Sequence, residues 1–258
     1  MKEENIDNIV DYWNKALLCS WESSTSKADT NMAYLDNEIE NIILRRMLDE
    51  LIKGKCTRCL DVGAGYGRFT RTFQKYFSEV ILLEAADSIY KQLQSYWISS
   101  PEIKCRQGTF EAYQDDKKYD LIFASGVLYL YNDEMLERFI AKTREMLCPS
   151  GFIILRDFIS NQPMVTESTF IKNGYCYYRS PQFWRDTFSD RGIDVVAIKP
   201  SKPRLGLLRD SNILKILRSL HLARHLQNAL VIRLAITCGD WRMKGSDLKT
   251  VFIVAHAA

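Results

Sequence analysis

The sequence predicts an α/β fold, a parallel doubly wound sheet with helices on both faces. Three observations carry that expectation. Short apolar runs alternate with helix-like segments from residue 58 to residue 158, the grammar of consecutive βα units. The stretch Leu60-Asp61-Val62-Gly63-Ala64-Gly65-Tyr66-Gly67-Arg68-Phe69 sets three glycines at alternating positions between a strand-like and a helix-like run. A second apolar run, Val80-Ile81-Leu82-Leu83, ends on a carboxylate, Glu84.

The elements follow in order. Ile6, Ile9, Val10, Trp13, Ala16 and Leu17 recur at helical spacing, so the first twenty residues are expected to form a helix. Residues 20–37 are polar and lack periodicity, and a second helix is expected over 38–53. Strands are expected at 58–63, 80–84, 103–107, 119–124 and 152–158, with helices at 67–77, 87–97 and 134–147 between them. Residues 159–179 have the character of a loop. Ser180-Pro181 then supplies an N-cap and a first-turn proline. The helix it opens, 182–190, stops at Gly192, and strands follow at 195–198 and 251–255.

Between those last strands lies a segment, 202–249, far longer than a hairpin needs. Ile213, Leu214, Ile216, Leu217, Leu220, Leu222, Leu226 and Leu230 alternate there with Arg209, Lys215, Arg218, Arg224 and Arg233. Amphipathic helices packed on the core, a lid, a partner surface and a basic face for an anionic substrate or membrane all satisfy that pattern. The expected organisation is a helical cap at 1–54, a core at 55–200, a helical insert at 201–248 and a last core strand at 249–258, all in one domain.

Composition narrows the class. The chain has 258 residues, 47% hydrophobic and 26% charged, an ordinary globular balance. A net charge of +3 is too small to argue for nucleic acid, so no nucleic-acid partner is expected. No run approaches the roughly 20 apolar residues of a membrane span, and Met1-Lys2-Glu3-Glu4-Asn5 does not resemble a signal peptide. Seven cysteines, an odd number, suit a reducing compartment; a cytoplasmic location is expected. Cys56-Thr57-Arg58-Cys59 has C-x-x-C spacing but no second pair or nearby histidine, so no metal is expected.

The glycine run has a chemical meaning. Glycine lets the chain turn sharply and lets a ligand lie against the main chain, where the amides of the next helical turn face it. A carboxylate at the tip of the neighbouring strand suits a ribose diol. Together these features imply a nucleoside-containing cofactor. The dinucleotide fingerprint is G-x-G-x-x-G under a pyrophosphate; here the order is G-x-G-x-G, with Arg68 where the last glycine belongs. The segment resembles motif I of class I S-adenosylmethionine-dependent methyltransferases, (V/L)(L/V)(D/E)xGxGxG, at every defining position.

That resemblance covers roughly 55–200 and 249–258 and implies a seven-stranded, mostly parallel sheet whose last strand is antiparallel. It implies S-adenosylmethionine as cofactor and S-adenosylhomocysteine as product. Asp61, Gly63, Ala64 and Gly65 would line the methionine end, with Gly67 starting the helix. Glu84 would take the ribose hydroxyls, and Ala85 would lie beside the adenine. Gly108-Thr109-Phe110 matches the segment covering the adenine, and Ser125-Gly126-Val127 the segment bordering the transferable methyl. Arg68 either pairs with the cofactor carboxylate or is an exposed helix residue. Tyr12 and Trp13 either close over the cofactor or pack in the core.

Methyl transfer is an in-line displacement with a neutral leaving group, so alignment and desolvation dominate. A hydroxyl acceptor more often needs a histidine base. His221, His225 and His256 all lie in the C-terminal sixth, which favours an amine or a pre-ionised acceptor. Asp157, at the end of Ile153-Ile154-Leu155-Arg156-Asp157, and Tyr178, among Tyr175, Tyr177 and Arg179, are the catalytic candidates. Aromatics beside a carboxylate suit a cation, although Asp157 would equally serve as a strand-end cap. The Arg-Asp and Tyr-Arg-Ser-Pro layout is similar to amine N-methyltransferases, including those acting on protein α-amino groups. Where the α-amino enzymes carry Trp and His after the fourth strand, this chain has Gly126 and Leu130.

The expected activity is methyl transfer to a small-molecule or peptide amine. The alternatives are an O-methyltransferase on a hydroxyl or carboxylate, an NAD-type oxidoreductase and a non-catalytic partner subunit. The polar stretch at 23–31 is expected to form a flap over the bound ligands.

Overall fold

The computed structural model describes residues 2–15, 30–54, 56–202, 224–238 and 248–257. Strands β1 (Cys56–Val62), β2 (Phe77–Glu84), β3 (Ile103–Gln107), β4 (Tyr119–Ser125), β5 (Leu147–Ile159), β8 (Ile193–Pro200) and β9 (Lys249–Ala257) form one sheet. Its order is β3-β2-β1-β4-β5-β9-β8. The first five strands are mutually parallel, whereas β9 runs antiparallel to both β5 and β8. Among class I methyltransferase features, this inserted antiparallel strand is the one the sequence resemblance implied.

Strand side chains alternate between faces, and each face has its own helices. Leu60, Val62, Ile153 and Leu155 pack with Leu136 and Phe139 of α5 (Asp133–Met146) and Trp184 and Phe188 of α6 (Pro181–Ser189). Cys59, Leu82, Phe123 and Ile154 face α2 (Thr30–Leu51), α3 (Thr70–Phe73) and α4 (Asp87–Trp97) through Leu44, Leu48, Phe73, Leu93 and Trp97. Phe123 meets Phe69 and Phe73 with ring centroids 5.0 Å from each. Because the central strands are buried on both faces, their sequences are continuous apolar runs, as parallel sheets require.

The four largest departures from the expected boundaries are these. The helix expected at 67–77 is a single helical turn, α3, flanked by turns at 65–69 and 74–76 before β2 begins at Phe77. Thr70 and Thr72, both buried, are also poor helix formers. Helix α2 starts at Thr30, eight residues before 38. Strand β5 starts at Leu147. The loop expected at 159–179 contains an antiparallel hairpin, β6 (Met164–Glu167) and β7 (Tyr175–Tyr178), which pairs Met164 with Tyr178 and Glu167 with Tyr175. Four-residue strands leave too little alternation to register in the sequence.

The caps behave as their chemistry dictates. Ser180 Oγ accepts from Phe183 N at 3.1 Å with Pro181 in the first turn. The expected flap at 23–31 falls outside the described residues, except for its last two, which open α2. Of the long insert, α7 (Arg224–Cys238) is described, and its buried Ala235 packs against Ile39 of α2; the stretch from Ile213 to Leu222 lies outside the described residues. Among the described residues no helix is long and apolar enough to cross a membrane.

Gly67 is held at φ +73, and a Cβ there would stand 2.6 Å from Trp97 Nε1 and 2.7 Å from Thr70 Oγ1. The left-handed conformation costs a side-chain-bearing residue about 1–2 kcal/mol, and the contacts add to it. Gly67→Ala should therefore lower the stability measured by urea unfolding by about 2 kcal/mol or more. Gly54→Ala, where nothing lies within 4 Å, is expected to leave the midpoint almost unchanged.

Candidate active site

The strand order reverses direction between β1 and β4, and in open α/β sheets such a switch point leaves a crevice at the carboxyl ends of the strands. A cavity of about 400 Å³ occupies that crevice. The turn after β1 forms its floor. Gly63 and Gly65 have φ of +65 and +57. At Gly63 a Cβ would meet Val127 Cγ2 at 2.7 Å, whereas at Gly65 it would project into open space. The turn thus lets the β4 loop approach on one side and leaves the main chain bare on the other. The Ala64 N–H donates to Leu83 O at 3.0 Å, tying the turn to β2.

Two carboxylates close the floor. Glu84 is buried, with Oε2 accepting from Gly65 N and Oε1 from Ala86 N, both at 2.9 Å. Burial raises its pKa, and those amides oppose the rise. Asp61 is buried as well, and its Oδ1 has no hydrogen-bond partner among the described residues. Burial, then the charge of Glu84, pushes the Asp61 carboxyl well above its ordinary range. An orphaned buried acceptor beside a second acid fits a cationic, donor-rich ligand. Asp61, the Gly63-Ala64-Gly65 turn and Glu84 thus suit the methionine and ribose portions of S-adenosylmethionine. Ala85, Thr109 and Phe110 line the cavity beyond β2 and β3, and Ser125 and Gly126 line it beyond β4.

A charged cluster makes the wall. Glu40 of α2 is fully buried. Its Oε1 accepts from Arg156 Nε at 3.1 Å, Arg156 Nη2 at 2.8 Å and Ser201 Oγ at 2.6 Å. Its Oε2 pairs with Arg68 Nη2. Arg68 Nε donates to Asn37 Oδ1 at 2.8 Å, and the guanidinium lies 4.6 Å from the Phe69 ring centroid. Arg68 is therefore not an exposed helix residue; it lines the cavity, gripped by α2. Burial, then the neighbouring Arg156 charge, lowers its pKa. At the rim Lys202 pairs with Asp36.

On the acceptor side, the β4 loop runs into a 3₁₀ turn, Leu128–Leu130, anchored by Gly126 N donating to Arg156 O at 2.8 Å. The rings of Tyr129 and Phe158 meet edge to face with centroids 4.9 Å apart, and both line the cavity. Tyr178 lies parallel to Tyr129 at 6.4 Å and 12° but does not line the cavity. Arg179 holds the turn, donating to Leu128 O at 3.2 Å, Tyr131 O at 2.6 Å and Asp133 Oδ1 at 2.8 Å.

Asp157 also departs from the expected placement. Alternation along β5 sends Arg156 and Phe158 to the cavity, so Asp157 projects to the other side of the strand and is absent from the lining. Its Oδ1 accepts from Phe158 N at 2.8 Å, and it also takes the Tyr129 backbone N–H. Burial raises its pKa to about 7, opposed by the Phe158 amide and by the charges of Arg156 and Arg179. The two catalytic candidates thus stand behind the lining residues. Glu40, Arg156, Tyr129 and Phe158 were missed, although an arginine within the apolar run of β5 was a visible signal.

The N-terminal helix α1 (Lys2–Lys15) covers the cavity. Ile6, Ile9, Val10 and Trp13 line it, and Asn14 Oδ1 accepts from Ser88 N at 3.3 Å. Trp13 thus takes the covering position. Tyr12 instead packs on Phe170 with centroids 5.1 Å apart.

Comparison with known proteins gives the family and supports the fold. A family model described as AdoMet dependent proline di-methyltransferase matches residues 2–204. Phosphoethanolamine N-methyltransferase 1 of Triticum aestivum is 28% identical over 144 residues, 51% of this chain and 26% of that protein. The chain thus spans about a quarter of the length of that relative. The human N-terminal Xaa-Pro-Lys N-methyltransferase 1 is 24% identical over 143 residues, 53% of this chain and 64% of that protein. In fold, a SAM-dependent methyltransferase of Leishmania major aligns with a TM-score of 0.66 at 17% identity, covering 97% of this chain and 82% of its own.

Two outcomes follow from the buried charges. Glu40→Gln removes the carboxylate paired with two interior guanidiniums and should cost about 3 kcal/mol in urea unfolding. Asp157, titrating near pH 7 when folded and near about 3.9 when unfolded, keeps its proton longer in the native state. Its contribution to stability is present below about pH 4 and is lost as the pH rises through about 7. Asp157→Asn should remove that slope from a plot of unfolding midpoint against pH and make the protein more stable than wild type at pH 8.

Proposed function

The chain belongs to the AdoMet dependent proline di-methyltransferase family, and from that premise we propose that it methylates an amine nitrogen. The observation that carries the proposal is the pair of faces around the acceptor end. Tyr129 and Phe158 present aromatic rings there, while Arg156 and Arg68 set positive charge in the adjoining wall. A nearby fixed cation disfavours protonation of an amine, keeping its lone pair free for attack. Aromatic faces then accommodate the cationic product. Among the described residues, no histidine lines the cavity, and a neutral amine needs none.

Bound across the β1 turn, S-adenosylmethionine supplies an electrophilic methyl on a positively charged sulfur. The residues of this chain do the rest. Asp61 and Glu84 accept hydrogen bonds from the donor groups of the ligand, and Glu84 does so while holding the Gly65 amide in place. Arg68 offers its guanidinium to a carboxylate, steadied by Glu40 and Asn37. Thr109, Phe110 and Ala85 flank the base, and Ser125 and Gly126 border the reacting end. Trp13 and the α1 apolar face exclude water, which strengthens every polar contact inside. Asp157 acts as a positioning residue by fixing the Tyr129 backbone, and Tyr178 supports the Tyr129 ring from behind.

A small amine is the favoured acceptor, since Gly126 and Leu130 replace the Trp and His of α-amino enzymes. The relative named for phosphoethanolamine is consistent with that class. A peptide N-terminus is the second reading. It is favoured by the hairpin β6–β7, which exposes Val165 and Tyr175, and by the relative named for Xaa-Pro-Lys N-termini.

Calorimetry should detect S-adenosylhomocysteine binding and no NAD binding; the reverse would overturn the proposal. Asp61→Asn and Glu84→Gln should each weaken S-adenosylhomocysteine about tenfold or more, one charged hydrogen bond's worth. Radiolabelled methyl transfer to phosphoethanolamine, an Xaa-Pro-Lys peptide and hydroxyl analogues would place the acceptor. On the amine that reacts, Phe158→Ala should lower kcat/KM about tenfold with unchanged S-adenosylhomocysteine affinity. Transfer to hydroxyl analogues alone would reject the amine.

A further inference from the structure

A second groove of about 750 Å³ runs between α2, α4 and the turn that contains α3, touching the first cavity at Tyr66 and Arg68. Arg45, Arg71 and Lys75 line it, against one carboxylate, Glu38. Elsewhere on the surface Lys91 pairs with Asp87 and Arg138 with Glu134. Among the described residues, Arg45, Arg71 and Lys75 form no ion pair. Arg71 Nη2 instead donates to Tyr96 Oη at 2.6 Å, and Arg45 Nε to Asn41 O at 3.3 Å. These contacts aim the guanidiniums without neutralising them.

We propose that this groove binds a phosphorylated ligand bearing an aromatic ring, separately from the methyl donor. Three uncompensated cations from two elements raise the local potential and attract a multiply charged anion. Guanidinium forks match phosphate oxygens, and a lysine adds a point charge. The ring has its own platform: Tyr96 is 55% exposed and edges onto Trp97 at 5.0 Å. Trp97 also lines the groove, and its buried indole N–H finds no acceptor among the described residues. An exposed tyrosine ring so placed stacks on planar ligands. The groove also reaches Asn37, whose Oδ1 holds Arg68, so an occupant would sit one side chain from the first cavity.

The test is calorimetry on the full chain saturated with S-adenosylhomocysteine, so that the first cavity is filled. Inorganic pyrophosphate, uridine and uridine diphosphate are titrated as probes. Saturable one-to-one binding of pyrophosphate is expected, uridine diphosphate binding more tightly and uridine more weakly. Arg71→Gln and Lys75→Gln should each weaken uridine diphosphate about tenfold with unchanged S-adenosylhomocysteine affinity, and Glu38→Gln should strengthen it. Absence of saturable binding by either phosphate probe, or binding indifferent to Arg71→Gln and Lys75→Gln, would overturn the site. Uridine diphosphate no tighter than pyrophosphate would overturn the ring.

Discussion

The architecture turns on one buried carboxylate. Glu40 leaves α2 and enters the interior between Arg68, just past the glycine turn, and Arg156, on β5. An isolated charge at that depth would be expensive, and so would either guanidinium alone. Together, with Ser201 supplying a further hydrogen bond, they are mutually satisfied only when α2, the β1 turn and β5 occupy one arrangement. That arrangement is the one that opens the crevice.

On the opposite side of the crevice the electrostatics are reversed. Asp61 and Glu84 are two acids in apolar surroundings, each raised by burial. Glu84 has its amides; Asp61 Oδ1 has no partner among the described residues. The site therefore carries an unmet demand for hydrogen-bond donors at one end and paired cations at the other. A zwitterionic amino-acid moiety attached to a nucleoside answers both demands at once. Neither wall alone distinguishes that ligand from many others.

The acceptor end illustrates how strand geometry allots roles. Arg156, Asp157 and Phe158 are consecutive, yet alternation sends the first and third into the cavity and the second behind it. From there Asp157 accepts backbone N–H groups from Phe158 and Tyr129. Those contacts fix the backbone that carries two aromatic rings of the cavity lining. Tyr178 lies parallel to Tyr129 and is likewise absent from the lining.

The sequence by itself determined the sheet, the glycine turn and its two acids. Those features depend on neighbours in the chain: apolar runs of strand length, glycines where the backbone must take positive φ, a carboxylate at a strand end. Thr109, Phe110, Ser125 and Gly126, which the resemblance placed beside the cofactor, line the cavity, as does Trp13, for which core packing was the alternative. Tertiary structure decided the rest. Glu40 and Arg156 are 116 residues apart, and no spacing pattern reports a pairing that only the crossing of α2 over β5 creates. The hairpin β6–β7 was too short for periodicity to register. Asp157 was correctly assigned to the end of β5, but the face it takes follows from which side of that strand is open, a property of the packed sheet rather than of the residue.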